Sequence, residues 1–329
     1  MSSRRASSEG VKTFVDKLKS FNLAKGMNPL LALLGIGLVV SFLSPNFLTI
    51  INLKNILVQA SVVAILASGM TLVIITGGID LSVGTLMAMS SCVMGLSILN
   101  TKLGIFMSIL IALFSGALVG LISGIIISKG NIAPFVVTLG IQGIAQGIAL
   151  LITSGYSMYG FPETFLFIGG GELLGIPMPV LIMILVYILM YIVLEYTKVG
   201  RYSLAIGGNE EASRLVGINV DSYKIIVYTL NGFMAGLAGV VLSSRIASSH
   251  PGVGAGFELD AIAAVVIGGT SLSGGEGTIV GTIIGAMIMA TIKNSLNLLG
   301  VSPFIQKIAI GAIIIIAVLI DSISKKRNN

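Results

Sequence analysis

The sequence predicts an all-α polytopic membrane protein of about ten transmembrane helices with both termini cytoplasmic, and three observations carry that prediction. The 329 residues are 55% hydrophobic and 10% charged, with a mean hydropathy of +1.04. Soluble domains carry roughly 25% charged residues, so a chain this apolar needs lipid to cover its surface. Long apolar runs recur along the whole chain. The basic residues, which give a net charge of +6, gather at the ends and in one internal loop, as an orientation signal does. Cytosolic enzymes, nucleic-acid binders and disordered scaffolds are excluded at this level. The single cysteine, Cys92, lies in an apolar run and leaves no intrachain disulfide.

A helix crosses the hydrocarbon core in about 20 residues. That window gives ten segments: 28–43, 56–76, 83–99, 103–128, 133–153, 178–196, 223–244, 259–272, 278–296 and 303–320. The eighth has only 14 residues, so a short sheltered helix and a re-entrant segment both fit it. Alternating from a cytoplasmic N-terminus places fourteen Lys and Arg residues inside and five outside. The longest outside loop, 154–176, has two acids and no base. The organisation expected is a basic cytoplasmic tail over 1–27, a transmembrane domain over 28–320 with a cytoplasmic loop at 197–222, and a cytoplasmic tail over 321–329. The tail lacks a small-x-small cleavage site, which predicts an uncleaved first span.

Within the spans, small residues first of all let helix backbones approach. Gly116, Gly120 and Gly124 share one face of the fourth span, Gly232, Gly236 and Gly239 one face of the seventh, and Gly281 with Gly285 one face of the ninth. They predict a dense bundle. Polar side chains are more telling, because lipid offers them no partner. Thr138, Gln142 and Gln146 fall at i, i+4 and i+8 on the fifth span, a single helical stripe. Interhelical hydrogen bonding and a wet path for a hydroxylated solute both account for it. Asn231, Asn294 and Asn297 are isolated, and packing suffices for them.

Asp80 is the only carboxylate between Asn28 and Phe161. It lies in Gly77-Gly78-Ile79-Asp80-Leu81-Ser82, and Gly268-Gly269-Thr270-Ser271-Leu272-Ser273 repeats the pattern Gly-Gly-x-x-Leu-Ser six spans later. Both stretches fall on the same side and read as paired breaks, a feature that lines solute paths in transporters. Capping alone, at the start of the third span, already accounts for an acid at Asp80. Asp80, Ser82, Thr138, Gln142, Gln146 and Asn231 are therefore the candidate pathway residues.

Catalytic constellations are missing from the sequence. His250 is the only histidine, so no His/Cys metal cluster forms. Leu272-Ser273-Gly274-Gly275-Glu276 resembles an ATPase signature, yet no Gly-Lys dipeptide occurs, and a phosphate loop of the Walker A type needs one. The hydrophilic loop 197–222 contains Gly207-Gly208-Asn209-Glu210-Glu211-Ala212-Ser213-Arg214-Leu215-Val216-Gly217. Its composition predicts a short helix from Glu210 to Leu215, stopped by Gly217 and carrying a Glu210–Arg214 pair at i, i+4. A solvated connector and a docking knob for a cytosolic protein both fit.

Taken in order, these blocks resemble the permease subunits of bacterial ABC importers for monosaccharides, those for ribose above all. The resemblance rests on Gly69-Met70-Thr71-Leu72-Val73-Ile74, Gly78 to Gly84, Val199-Gly200-Arg201-Tyr202, Gly207 to Ala212, Leu215 to Val220, and Glu258 to Leu272. It implies ATPase coupling through Gly207, Gly208, Asn209, Glu210, Glu211, Ala212, Arg214 and Gly217. In the family's Glu-Ala-Ala-x-x-x-Gly motif, Glu211, Ala212 and Gly217 match, while Ser213 replaces the second Ala and the Leu-Pro ending is absent. The resemblance also implies a second permease copy in a homodimer, a cytoplasmic ABC ATPase holding ATP and Mg, and a periplasmic or lipid-tethered sugar-binding protein. This chain itself would hold no cofactor and no nucleic acid, and would sit in lipid as a multi-pass protein of the bacterial inner (plasma) membrane. The expected activity is ATP-driven import of a monosaccharide by alternating access, with ribose first. An ion-coupled secondary sugar transporter, or a permease for another sugar or autoinducer-2, is the alternative.

Overall fold

The computed structural model describes residues 23–328; the basic residues from Arg4 to Lys19, and most of the tail 1–27, lie outside the described residues. Thirteen helices follow one another among the described residues, beginning with α1 (Leu23–Leu43), α2 (Ile50–Ile75), α3 (Val83–Asn100), α4 (Gly104–Gly130), α5 (Pro134–Thr153) and α6 (Glu163–Gly170). A two-residue hairpin pairs β1 (Glu172–Leu173) with β2 (Ile176–Pro177), antiparallel. Then come α7 (Met178–Tyr196), α8 (Lys198–Gly208), α9 (Glu210–Leu215), α10 (Val220–Arg245), α11 (Phe257–Ile267), α12 (Ile279–Leu298) and α13 (Pro303–Asn328).

The helix starts are written in the sequence. Thr49 accepts from the Asn52 amide at the head of α2, Asn219 from the Ser222 amide at α10, and Thr278 from the Gly281 amide at α12. Each satisfies one of the backbone donors a helix start leaves unpaired. Pro134 opens α5, where its missing N–H costs nothing. The ends of α4 and α5 turn through Asn131 and Ser154 in the left-handed region.

Seven helices among the described residues, α2, α3, α4, α5, α7, α10 and α12, are long and apolar enough to cross a membrane. The expected first and last spans correspond to shorter apolar stretches, 28–43 and 303–313. The last helix runs on to Asn328, through the expected C-terminal tail. The expected eighth span is α11, an 11-residue helix. At 1.5 Å per residue it reaches about half the hydrocarbon thickness. It is sheltered by α2, α12 and α13.

Helix α10 is the axis of the bundle, packed on α4, α2 and α3. Its contact with α4 is made of backbone: a Cβ added at Gly116 would overlap the Gly232 carbonyl, and one at Gly120 the Tyr228 carbonyl. Gly239 makes the same approach to Met87 on α3. The pair Gly281 and Gly285 lets α12 lie on α11, against the Gly268 and Ala264 carbonyls. Helix α5 is peripheral and packs mainly on α3 and α4. At the end of the bundle holding residues 154–177, Met158 bridges Ser249 and Lys54 pairs with Glu172 at 2.8 Å.

Buried polar pairs tie the helices across the core. Asn52 and Asn294 exchange two amide bonds of 3.0 and 2.9 Å, and Thr71 meets Thr282 at 2.8 Å. Asn294 thus has the packing role expected of it. Lys293, expected in the outside half, lies within α12 and pairs with Asp260 of α11.

Candidate substrate pathway and coupling loop

The two Gly-Gly-x-x-Leu-Ser stretches are breaks between helices. After α2 ends at Ile75, the chain turns through the exposed Gly77 (φ 79°) and runs to Ser82, the residue preceding α3, with Gly78, Asp80 and Ser82 buried and Ile79 and Leu81 half-buried. Asp80 is 1% exposed and does not cap α3 directly. Its Oδ1 accepts from the Ser82 amide at 2.8 Å and from the Ser82 hydroxyl at 2.6 Å, closing a turn around the residue before the helix. Its Oδ2 accepts from Asn231 Nδ2 at 2.8 Å, which ties the break to the middle of α10. No cation pairs with it among the described residues.

Around this knot two buried polar atoms stay unpaired: Asn231 Oδ1 and the Tyr228 hydroxyl. Asn231 lies against Gly69, where a Cβ would come 2.9 Å from its Cα, and the Tyr228 hydroxyl lies against Gly78. An unpaired polar atom in a low-dielectric interior is costly. Tyr228 was not legible as a site residue, because a tyrosine in an apolar helix reads as core.

The stripe on α5 divides. Thr138 is buried and donates to the Ile79 carbonyl at 3.3 Å, joining α5 to the first break. Gln146 donates to the Pro251 carbonyl at 3.1 Å. Gln142, between them and half-buried, makes no side-chain hydrogen bond among the described residues. The structure therefore brings Asp80, Ser82, Asn231 and Thr138 together, and leaves Gln142 and Gln146 further along α5.

The second break runs from Gly268 to Thr278. Beside the first break, Glu258 at the head of α11 packs against Gly84 and accepts from the Gly256 amide at 3.1 Å. Both breaks come to the same end of the bundle as α8. The Gly275 amide donates to the Ile75 carbonyl at 2.9 Å, and Gly207 lies against both residues.

The loop 197–222 forms two helices. Thr197 caps α8 through the Val199 amide at 3.1 Å, and Asn209 caps α9 through the Ala212 amide at 2.8 Å. Helix α9 covers Glu210–Leu215, as the sequence predicts, and Gly217 (φ 86°) ends the turn that follows. Arg214 bonds Glu210 at 3.2 Å and Asp221 at 2.6 Å, and Lys224 bonds Glu210 at 2.6 Å. Partial burial pushes the Glu210 carboxyl up, but Lys224 and Arg214 outweigh it and hold the group below the usual glutamate range. Asp221, then Glu210, raise the Arg214 guanidinium above its ordinary value. Glu211 and Ala212 face outward, and Leu215 and Val216 are 84% and 77% exposed. Ser213, which stands where the family motif has Ala, is buried and donates to the Asn209 carbonyl at 2.8 Å.

An apolar bundle with polar breaks inside it, and a charged, outward-facing loop at one end, defines a class: a multi-pass membrane permease. The comparisons make it particular. The family described as branched-chain amino acid transport system / permease component matches residues 52–318, and the chain belongs to this permease family of the inner membrane. The ribose import permease protein RbsC of Escherichia coli (strain K12) is 49% identical over 297 residues, 89% of this chain and 92% of the relative. The protein of that name from Bacillus subtilis (strain 168) is 42% identical over 95% of this chain and 98% of the relative. The D-allose transport system permease protein AlsC of Escherichia coli (strain K12) is 35% identical over 96% of this chain and 98% of the relative. No solved structure gives a significant match.

Proposed function

We propose that this chain is the membrane subunit of an ATP-driven importer that passes ribose across the inner membrane by alternating access. The identity of 49% to a ribose import permease over most of both chains carries the reading. The family description mentions branched-chain amino acids. The graded fall from the ribose relatives to the allose relative at 35% favours a sugar, and ribose first. The partners are a second copy of this chain, a cytoplasmic ATPase that binds ATP and Mg, and a sugar-binding protein outside. This chain supplies the path and the docking loop, and the partner supplies the hydrolysis.

The loop from Gly207 to Gly217 docks the ATPase, with Glu211, Ala212 and the exposed Leu215 and Val216 meeting it. An apolar pair beside a carboxylate suits a partly buried protein contact. That puts the loop, both breaks and both termini on the cytoplasmic side, in agreement with the distribution of Lys and Arg. Ten passes, with α11 as a sheltered half-length segment, keep this parity. Asp80, Ser82, Asn231, Thr138, Gln142 and Gln146 border the path. With 6% aromatic residues and no Trp, the path has few surfaces on which a sugar can stack, so selectivity rests on the binding protein.

Ribose uptake into proteoliposomes containing this chain, its ATPase and the binding protein tests the reading. Uptake is expected to require ATP and both partners. ATP-independent flux through this chain alone would overturn it in favour of an ion-coupled transporter with Asp80 at its centre.

A further inference from the structure

The sequence places a pair of glycines at the end of α8, and the structure puts them against both helix breaks at once. A Cβ at Gly207 would overlap the Ile75 carbonyl and the Gly275 amide. A Cβ at Gly274 would come 2.9 Å from the Gly77 amide and 3.0 Å from Gly207 Cα. The Gly275 amide closes the junction by donating to the Ile75 carbonyl at 2.9 Å, an oxygen at the end of α2 that its own helix leaves unpaired. Three stretches of chain, far apart in sequence, therefore meet backbone to backbone with no side chain between them.

We infer that this junction is the rigid link through which movement of α9 reaches both breaks, with Gly207 as the positioning residue. The inference rests on the proposed docking of an ATPase at α9. Close-packed interiors have low compressibility and transmit strain, and a backbone-to-backbone contact has no side-chain rotamer through which to absorb it. On the docking side, the Asn209 amide donates to the Ala205 carbonyl at 3.0 Å and its side chain caps α9, so α8 and α9 move as one piece. On the other side, Gly77 lies three residues from Asp80 and its bond to Asn231. The second break leads into α12, which Thr282 fastens to Thr71 of α2. Both breaks are thus displaced together when α9 moves, and the bistable element that coupling requires is the pair of breaks rather than either alone.

The test uses the assembled importer in lipid and compares wild type with Gly207→Ala and with Gly35→Ala, a control glycine of α1 with open space where a Cβ would go. Three quantities are read: ATPase co-purified per permease, hydrolysis stimulated by sugar-loaded binding protein, and sugar taken up per ATP hydrolysed. Gly207→Ala is expected to keep the ATPase bound while uptake per ATP falls about tenfold. Gly35→Ala should match wild type. A merely structural role would lower assembly and uptake in step and leave uptake per ATP unchanged, which would overturn the inference. So would normal coupling in Gly207→Ala. Should that variant fail to fold, spin labels at Arg201→Cys on α8 and Ser273→Cys, both exposed and outside the docking contact, read the junction in the native glycine background; Cys92 is buried. Their separation should stay within about 2 Å between nucleotide-free and ATP-bound states, and a larger change would overturn the rigid link. Loss of ATP-dependent uptake in wild type would instead sink the importer reading itself.

Discussion

Helices α10 and α5 carry the same kinds of residue, glycines at helical spacing and a few amides, and put them to opposite uses. On α10, Gly232, Gly236 and Gly239 bring the backbones of α4 and α3 into contact, and Asn231 is bonded to Asp80. On α5, Gly140, Gly143 and Gly147 have nothing within 4 Å of a would-be Cβ. The most apolar 18 residues are 67% buried in α10 and 28% in α5. Glycine spacing on a membrane helix therefore offers a close approach, and whether a neighbour accepts it depends on where the helix stands. A helix interlocked by backbone on several sides tolerates no added side chain there, whereas α5 buries only the face that carries Val137, Ile141, Ala145 and Ala149 and leaves its glycines open.

The largest expected effect separates the two helices directly. Gly232→Val drives a branched side chain into the Gly116 carbonyl and should cost at least about 3 kcal/mol, a large fraction of a domain's stability. Gly143→Val on α5 should stay within about 1 kcal/mol of wild type. Melting in detergent of both variants decides it, and equal losses would break the comparison. Next is the bond that anchors the first break. Asp80→Ala strands Asn231 Nδ2 and the Ser82 hydroxyl and should cost about 1–3 kcal/mol. Asp80→Asn should be milder, because its carbonyl oxygen still accepts from Ser82. A large loss of uptake in Asp80→Asn without a change in melting would give the carboxylate a role in transport beyond the turn.

On α5, Gln142→Leu removes no side-chain hydrogen bond seen here, so melting should change by less than about 0.5 kcal/mol. Ribose uptake should fall severalfold if Gln142 borders the path, and equal falls in melting and uptake would assign the stripe to packing. The smallest effect concerns the docking loop. The carboxyl of Glu210 is held below its ordinary value, so the stabilisation it gives is complete above the unfolded pKa and is lost as pH falls through the folded one. The pair is exposed, with 40% of the Glu210 side chain open to solvent. Less than about 1 kcal/mol is therefore expected, read as ATPase capture that weakens only as pH is taken below the ordinary glutamate range, a dependence that Glu210→Gln abolishes. Glu211→Ala should weaken capture at both pH values.

Much of this was legible from the residues alone. Charge depletion fixed the solvent as lipid, since few other environments tolerate 10% charged residues over such a length. Local rules placed α9 between its Asn209 cap and Gly217, because capping and chain reversal depend only on neighbours. Gly116, Gly120 and Gly124 announced a tight helix contact but did not name α10 as its partner. The stripe on α5 was visible as a stripe, yet its division into Thr138 and Gln146, bonded, and Gln142, unbonded, depends on which backbone carbonyls other segments bring within reach.

The sequence by itself determined the membrane class, the apolar segments, the paired breaks and the outward-facing loop, because these follow from hydropathy and local backbone preference. Only the tertiary structure decided that Asp80 reaches Asn231, that Lys293 pairs with Asp260, and that α11 is a sheltered half-length helix. The same is true of the meeting of Gly207 with both breaks. Each of these joins residues tens to hundreds of positions apart, and such contacts are set by how helices pack, on which the local pattern is silent.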